Sequence, residues 1–452
     1  MEENFDVLIV GAGAAGLAAA SRLVEHGKTV CLIEARDRVG GRIFTRRPLT
    51  TNFPIELGAE FIHGKPPEIW ELMLEAGARA CDTNLVHWSL RDGKLKREDD
   101  FYEHIETVFS KLCEDSEERG VDCSFAAFAE SAVRKDANLV SAIGASRRFV
   151  EGYNAADARL ISADFLARGE VAAAEIEIDE QFRVIDGYDR LVNHLHEKFI
   201  AHGGKCLLSS EARHVEWKID AVKIDCFSRA DSQSLSYTAR QAVITLPLGV
   251  MQKGPEEAGA VLFTPDLSDK REAARQLRTG DAIRVTMLFK QRFWESPRTD
   301  REPDDAYFEF GYAVAEECKI PVWWSQYPVR APFLTGWAGG PAAQRLIADD
   351  TDILAAALES LSAIFGYGED ELRALLIEHF YHDWAKDPYS VGAYSYETVA
   401  SHESAIELAA CLENTLFFAG EATEITGFSA SVHGALRTGY RAADEILAKI
   451  QG

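Results

Sequence analysis

Basic residues are scarce in this chain: 48 Lys and Arg stand against 73 Asp and Glu, a formal charge of −25. So acidic a protein disfavours nonspecific contact with phosphate backbones, so nucleic acid is not an expected partner, and it is suited to drawing a cation toward a cleft. Long apolar runs are missing as well. No stretch approaches the roughly 18 consecutive apolar residues of a membrane span, so no membrane partner is expected. The opening MEENFDVLIVGAG lacks the positive start, apolar run and cleavage site of a secretory leader, and the expected location is cytoplasmic. The eight cysteines never form a C-x-x-C pair or a His-flanked cluster, so neither a metal site nor a disulfide framework is expected. No Ser-His-Asp or paired-carboxylate motif is present, and nothing fixes an oligomeric state.

What is there begins with length. A chain of 452 residues exceeds what one hydrophobic core usually organises, so two domains interleaved in sequence are expected. Phe5 to Val10 reads as a buried strand, GAGAAG as a tight turn, LAAASRLVEHG as a helix stopping at Gly27, and TVCLIEA as a second strand. From about Pro66 to Gln181 the periodicity is helical, which predicts a separate helical layer. Short strands return around CLLSSEARHVEWKIDAVKIDCF and QAVITLPLGV, and the final block runs strand, loop, long helix.

Gly11-x-Gly13-x-x-Gly16 lies between the first strand and the helix, and Glu34, at the end of the second strand, is 21 positions past Gly13. In that context the glycines give the turn, the close approach of a pyrophosphate to a helix N-terminus and close helix–strand packing, while Glu34 accepts from a ribose. NAD and FAD share this pattern. Two further glycine-bounded stretches bear on the choice: ARDRVGGRIFT, where Gly40 and Gly41 permit a close turn and Arg42 offers a guanidinium to a pyrophosphate, and FFAGEA, with Gly420 and Glu421.

The ordered set GAGAAGLAAA…LIEARDRVGGR, IELGAEFIHG, AVITLPLGV, WAKDPYSVGAYSY and LFFAGEATE…GFSASVHGALRTGYRAADEIL resembles the flavin-containing amine oxidases, the family of monoamine oxidases, polyamine oxidases and flavin-dependent histone demethylases. The resemblance implies an α/β fold: a Rossmann-like FAD-binding domain from 1–75, 183–265 and 400–452, with an interleaved α+β substrate domain from 76–182 and 266–399. It implies that FAD is held around Gly11, Gly13, Ala15, Gly16, Glu34, Arg36, Gly41 and Arg42, by Gly58, Ala59 and Glu60, with Val215 near the adenine. Gly420, Glu421, Ser431 and Val432 would reach the ribityl and flavin portions, and the helix from Val432 would aim its positive end at the flavin.

Departures from the family pattern are informative. Where monoamine oxidases carry a cysteine that bonds FAD, this chain has Ala393, implying non-covalent FAD. Tyr394 matches one ring of the aromatic pair that sandwiches the amine, while the other position is Ser431. Together with His63 in FIHG, this is similar to the polyamine oxidases. Arg284 occupies the position of the family's lysine that holds a water on flavin N5, which leaves oxidase and dehydrogenase both open. Trp384 and Tyr389 are expected to wall the flavin; of Trp323, Trp324 and Trp337, at least two are expected in the core.

The implied reaction is hydride transfer from the carbon beside an amine nitrogen to flavin N5, giving an imine that water hydrolyses to a carbonyl, with O2 reduced to H2O2. The expected catalytic set is Arg284, His63, Tyr394 and Trp384, the substrate a polyamine or another primary or secondary amine. Alternatives are an L-amino-acid oxidase or dehydrogenase on the same scaffold, needing Arg159 or Arg183 to clamp a carboxylate, a porphyrinogen or carotenoid enzyme, and a flavin-binding protein with little turnover. A demethylase role is not expected, since no chromatin-reading module or helical tower is visible.

Overall fold

The computed structural model describes residues 3–83, 86–301 and 312–448. One eight-stranded sheet gathers the two ends and the middle of the chain. Its order is Lys205–Leu207, Val30–Ile33, Glu3–Val10, Gln233–Ile244, Ala221–Ser228, Ser210–Lys218 and Leu262–Thr264, and Leu416–Phe418 pairs the far half of Gln233–Ile244. Val7–Val10 and Val30–Ile33 are buried throughout, as parallel strands covered on both faces require. One cover is the helix Ala14–Glu25 packed against the C-terminal helix Val432–Ala448. Their axes approach closely because position 439 is glycine: a Cβ there would lie 2.2 Å from the Ala15 carbonyl oxygen.

A second eight-stranded sheet runs Asp300–Arg301, Lys94–Arg97, His87–Arg91, Tyr312–Val314, Val322–Ser325, Phe333–Gly339, Ala282–Phe289 and Leu376–Tyr381. Strand alternation sorts its residues. Ile283, Val285, Met287, Trp323 and Leu334 enter an apolar core with the helix Ile353–Phe365. Arg284, Thr286, Thr335, Trp337 and Trp324 share the opposite face, since Arg284 pairs Trp337, Thr286 pairs Thr335 and Trp324 pairs Thr335. Trp323 and Trp324 are both buried, as expected of at least two of the three indoles, while Trp337 is half-buried; adjacent on one strand, the two point to opposite faces, and only Trp323 packs into this apolar core.

Between the sheets lies a three-stranded one, Phe61–His63, Gln181–Val184 and Ala80–Asp82. Four helices, Phe101–Glu118, Phe125–Lys135, Val140–Tyr153 and Ala163–Glu175, make the helical layer. That layer is shorter than expected at its start, because Ala80–Asp82 joins the three-stranded sheet and His87–Arg91 and Lys94–Arg97 join the second eight-stranded sheet.

Candidate active site

The turn after the first strand is shaped for a phosphate. Gly16 packs so tightly that a Cβ would stand 1.9 Å from the Gly11 carbonyl oxygen, while a Cβ on Gly13 would meet open space. The helix Ala14–Glu25 has no side-chain cap and no acidic residue in its first turn, leaving N–H groups and the positive dipole end for an anion. Glu34 is buried at the edge of this turn; its Oε2 accepts from the Ala12 N–H and its Oε1 from the Arg36 N–H, both at 2.7 Å. Burial raises its carboxyl above the ordinary range, against the pull of those two N–H groups. Gly41 lies against Gly13, and Gly420, at φ 135°, faces open space as Gly13 does. A phosphate-ready helix end, a buried carboxylate and two open glycine loops fit a dinucleotide such as FAD.

Arg42 ties the two ends of the chain together: Nη1 donates to Glu421 Oε1 at 2.9 Å and to the Ala393 carbonyl at 2.5 Å. Glu421 Oε2 accepts from the Ser395 hydroxyl at 2.6 Å. Gly58 has no room for a side chain, with the Arg42 carbonyl oxygen 1.9 Å and the Trp384 ring 3.2 Å from an added Cβ, and Ala59 N–H donates to that Arg42 carbonyl. Trp384 is buried, its indole N–H on the Leu57 carbonyl at 2.8 Å. Ser431 caps the C-terminal helix, accepting from Gly434 N–H at 2.9 Å, so the helix starts at Val432.

Glu60 is the centre of a buried polar hub. Arg183 Nε donates to Oε1 and Arg284 Nη2 to Oε2, each at 2.6 Å, with Trp324 Nε1 at 3.1 Å and Gln326 Nε2 at 3.3 Å completing the set. Burial alone would raise the Glu60 carboxyl; the two guanidiniums hold it down to about 2. Arg284 Nε also donates to the Glu56 carbonyl at 2.8 Å. Glu56 itself is pushed up to about 7 by burial, although Tyr188 N–H and Thr45 hydroxyl donate to it.

Beside the hub a run of rings forms a cage. Trp324 packs on Phe61 at 5.6 Å, Phe61 on His63 at 6.1 Å, and His63 edge-on against Tyr153 at 5.1 Å. The Tyr394 hydroxyl donates to the Tyr153 carbonyl, and Trp337 Nε1 to the Gly152 carbonyl at 2.9 Å. His63 faces Gln181 across the small sheet, its Nδ1 3.4 Å from the Gln181 amide nitrogen. Burial lowers the His63 imidazole to about 4, so it is neutral at pH 7.

The sequence candidates therefore fall into three groups: the nucleotide turn with Arg42 and Glu421, the Glu60–Arg284 hub, and the cage of His63 and Tyr394. Val215 joins none of them. Its side chain is in the apolar core and its strand is paired on both edges, by Ala221–Ser228 and Leu262–Thr264. The same strand instead meets the nucleotide turn at Ser210, whose N–H donates to the Glu34 carbonyl at 2.8 Å, roughly 16 Å along the chain from Val215. Arg159 is exposed and closes on Asp157. Tyr153 and Asp387 were not singled out in the sequence: a tyrosine ending an ordinary amphipathic helix gives no local signal. Among the described residues no cluster of His, Cys, Asp and Glu fits a metal, no helix is long and apolar enough to cross a membrane, and all eight cysteines are free.

The family profile described as flavin containing amine oxidoreductase matches residues 14–447. Lysine-specific histone demethylase 2 of Homo sapiens is 26% identical over 98% of this chain and 54% of its own length. Polyamine oxidase 2 of Arabidopsis thaliana is 26% identical over 97% of this chain and 87% of its own. The chain thus spans about half the length of the demethylases it matches. A putrescine oxidase bound to putrescine shares the fold, with a TM-score of 0.78 at 18% identity, covering 99% of this chain and 100% of that one. Since that profile spans residues 14–447, far more than half of the chain, the chain belongs to the flavin-containing amine oxidoreductases.

Proposed function

We propose that this protein is an FAD-dependent amine oxidase acting on a polyamine or another primary or secondary amine, releasing a carbonyl product through an imine and using O2 as oxidant with H2O2 formed. The observation that carries the reading is the cage of His63, Tyr153 and Tyr394, apolar in surface and free of net charge, placed beside a dinucleotide cradle. FAD, held without a covalent bond by the cradle of Glu34, Arg42 and Glu421, supplies the two-electron acceptor.

The side chains do the rest by desolvation and orientation. A ring-lined site favours the neutral amine over the ammonium, since burial penalises charge, and the free amine is the form that gives up a hydride. Neutral His63 puts no positive charge against that nitrogen. Excess negative charge across the chain raises the encounter rate of a cationic amine. An amino-acid substrate is disfavoured because its carboxylate needs a guanidinium, and both buried ones next to the cage, Arg183 and Arg284, are spent on Glu60. The domain assignment follows the same division, with the strands of the first sheet in the FAD domain and those of the second in the substrate domain. A peroxide-release screen over diamines, polyamines, monoamines and L-amino acids tests the reading. Peroxide from polyamines or simple amines supports it, and turnover of amino acids alone overturns it.

A further inference from the structure

The segment 382–393 crosses the nucleotide loops and is tied to them at three places. Arg36 sets both terminal nitrogens on Asp387, Nη1 to Oδ2 at 2.6 Å and Nη2 to Oδ1 at 2.9 Å. Trp384 donates to the Leu57 carbonyl, and Arg42 to the Ala393 carbonyl. Of the three anchors Asp387 is the most heavily engaged. His382 Nε2 lies 2.7 Å from the same Oδ2, Tyr389 N–H donates to Oδ1 at 2.9 Å, and the side chain is only 4% exposed.

What Arg36 does at its other end gives the pair a purpose. Its main-chain N–H is one of the two donors that hold the Glu34 carboxylate, 2.7 Å from Oε1. A guanidinium fork fixed on a buried carboxylate has little rotational freedom, so the backbone carrying it is fixed as well. Asp387 thereby acts across 351 positions of sequence on the acidic residue of the dinucleotide pattern.

We propose that residues 382–393 form a strap over the adenosine end of the cofactor site, with Asp387 as the positioning residue that sets Arg36 and, through it, the Glu34 carboxylate for the ribose of FAD. The proposal rests on the FAD reading above. It makes cofactor affinity depend on a segment that also delivers Tyr394 to the cage, so one length of chain shapes both ends of the site.

The test is FAD titration of the full-length apoprotein by flavin fluorescence, with the melting temperature of each apoprotein measured alongside. Asp387→Asn keeps the shape and removes the charge; its FAD dissociation constant is expected to rise about tenfold, the size of one lost charge-assisted hydrogen bond. Asp387→Glu recovers part of that loss, and Arg36→Lys with Asp387→Asn is no weaker than the worse single variant, because the two act as one unit. A melting temperature that falls while FAD affinity stays unchanged makes the pair merely structural and overturns the strap. Should Asp387→Asn not fold, Arg36→Lys and Ser390→Ala, which removes the hydroxyl 3.3 Å from Arg36 Nη2, carry the test, and unchanged affinity in both overturns it. A wild-type protein that takes up no FAD refutes the FAD reading itself, before any variant is compared.

Discussion

Arg284 Nη2 donates to Glu60 Oε2 at 2.6 Å, both side chains sealed from solvent. The arginine is the partner of an internal carboxylate, which it shares with Arg183, and its Nε is held by the Glu56 carbonyl. The pair joins Ala282–Phe289, the penultimate strand of the second sheet, to the loop after Gly58, so it fixes how the cage sits against the nucleotide cradle.

Removing that carboxylate leaves two buried guanidiniums unbalanced. Glu60→Gln is expected to cost about 3–5 kcal/mol of unfolding free energy, the usual size for breaking a buried pair from one side. Urea denaturation at pH 7 measures it. A loss below about 1 kcal/mol, the level of a surface pair, contradicts the hub.

Glu56 predicts a pH dependence of opposite sign to that of ordinary carboxylates. In the folded chain it keeps its proton up to about pH 7, whereas the unfolded chain releases it near 4.5. Between those values the unfolded state binds fewer protons, so the contribution of Glu56 to stability declines as pH rises. Glu56→Gln, neutral throughout, should therefore gain on the wild type by up to about 3 kcal/mol from pH 4.5 to pH 7. Parallel denaturation curves that keep a constant difference across this range contradict the protonated Glu56.

Much of this was legible beforehand, and for identifiable reasons. The nucleotide turn could be read because glycine spacing and a carboxylate 21 positions later are local and steric in origin. Arg42 and Glu421 stood out because each sits in a glycine-bounded loop, although their 2.9 Å pairing joins positions 379 apart, which no local pattern encodes. The hub was hidden for the same reason: Glu60, Arg183, Arg284 and Trp324 come from four segments, and only the fold brings them together. Composition could not decide the place of Val215, because strand residues near a ligand and those in a core share one composition; its side chain lies in the apolar core of a strand paired on both edges. The split between Trp323 and Trp324 was readable in principle from period-two alternation once the strand was recognised.

The cage makes a prediction about turnover. Tyr394→Ala opens the side of the cage that its hydroxyl ties to the Tyr153 carbonyl, and kcat/KM for the preferred amine is expected to fall about 100-fold through lost orientation. FAD content should stay near that of the wild type, checked by the visible spectrum of the purified variant. Undiminished kcat/KM would remove Tyr394 from the cage.

Ala393 predicts that the cofactor is released on unfolding. After acid precipitation the yellow colour should remain in the supernatant, because no cysteine stands at that position to hold it. Flavin retained in the washed pellet contradicts non-covalent binding.

The central claim is that a flavin nucleotide clasped by both ends of the chain faces an uncharged ring-lined cage, where it takes electrons from a bound amine. Anaerobic mixing of the FAD-loaded protein with a panel of diamines, polyamines and monoamines tests it most directly. Loss of the oxidised-flavin absorbance with at least one amine, reversed on admitting air, is the predicted result; a loaded protein whose spectrum no amine alters would contradict it.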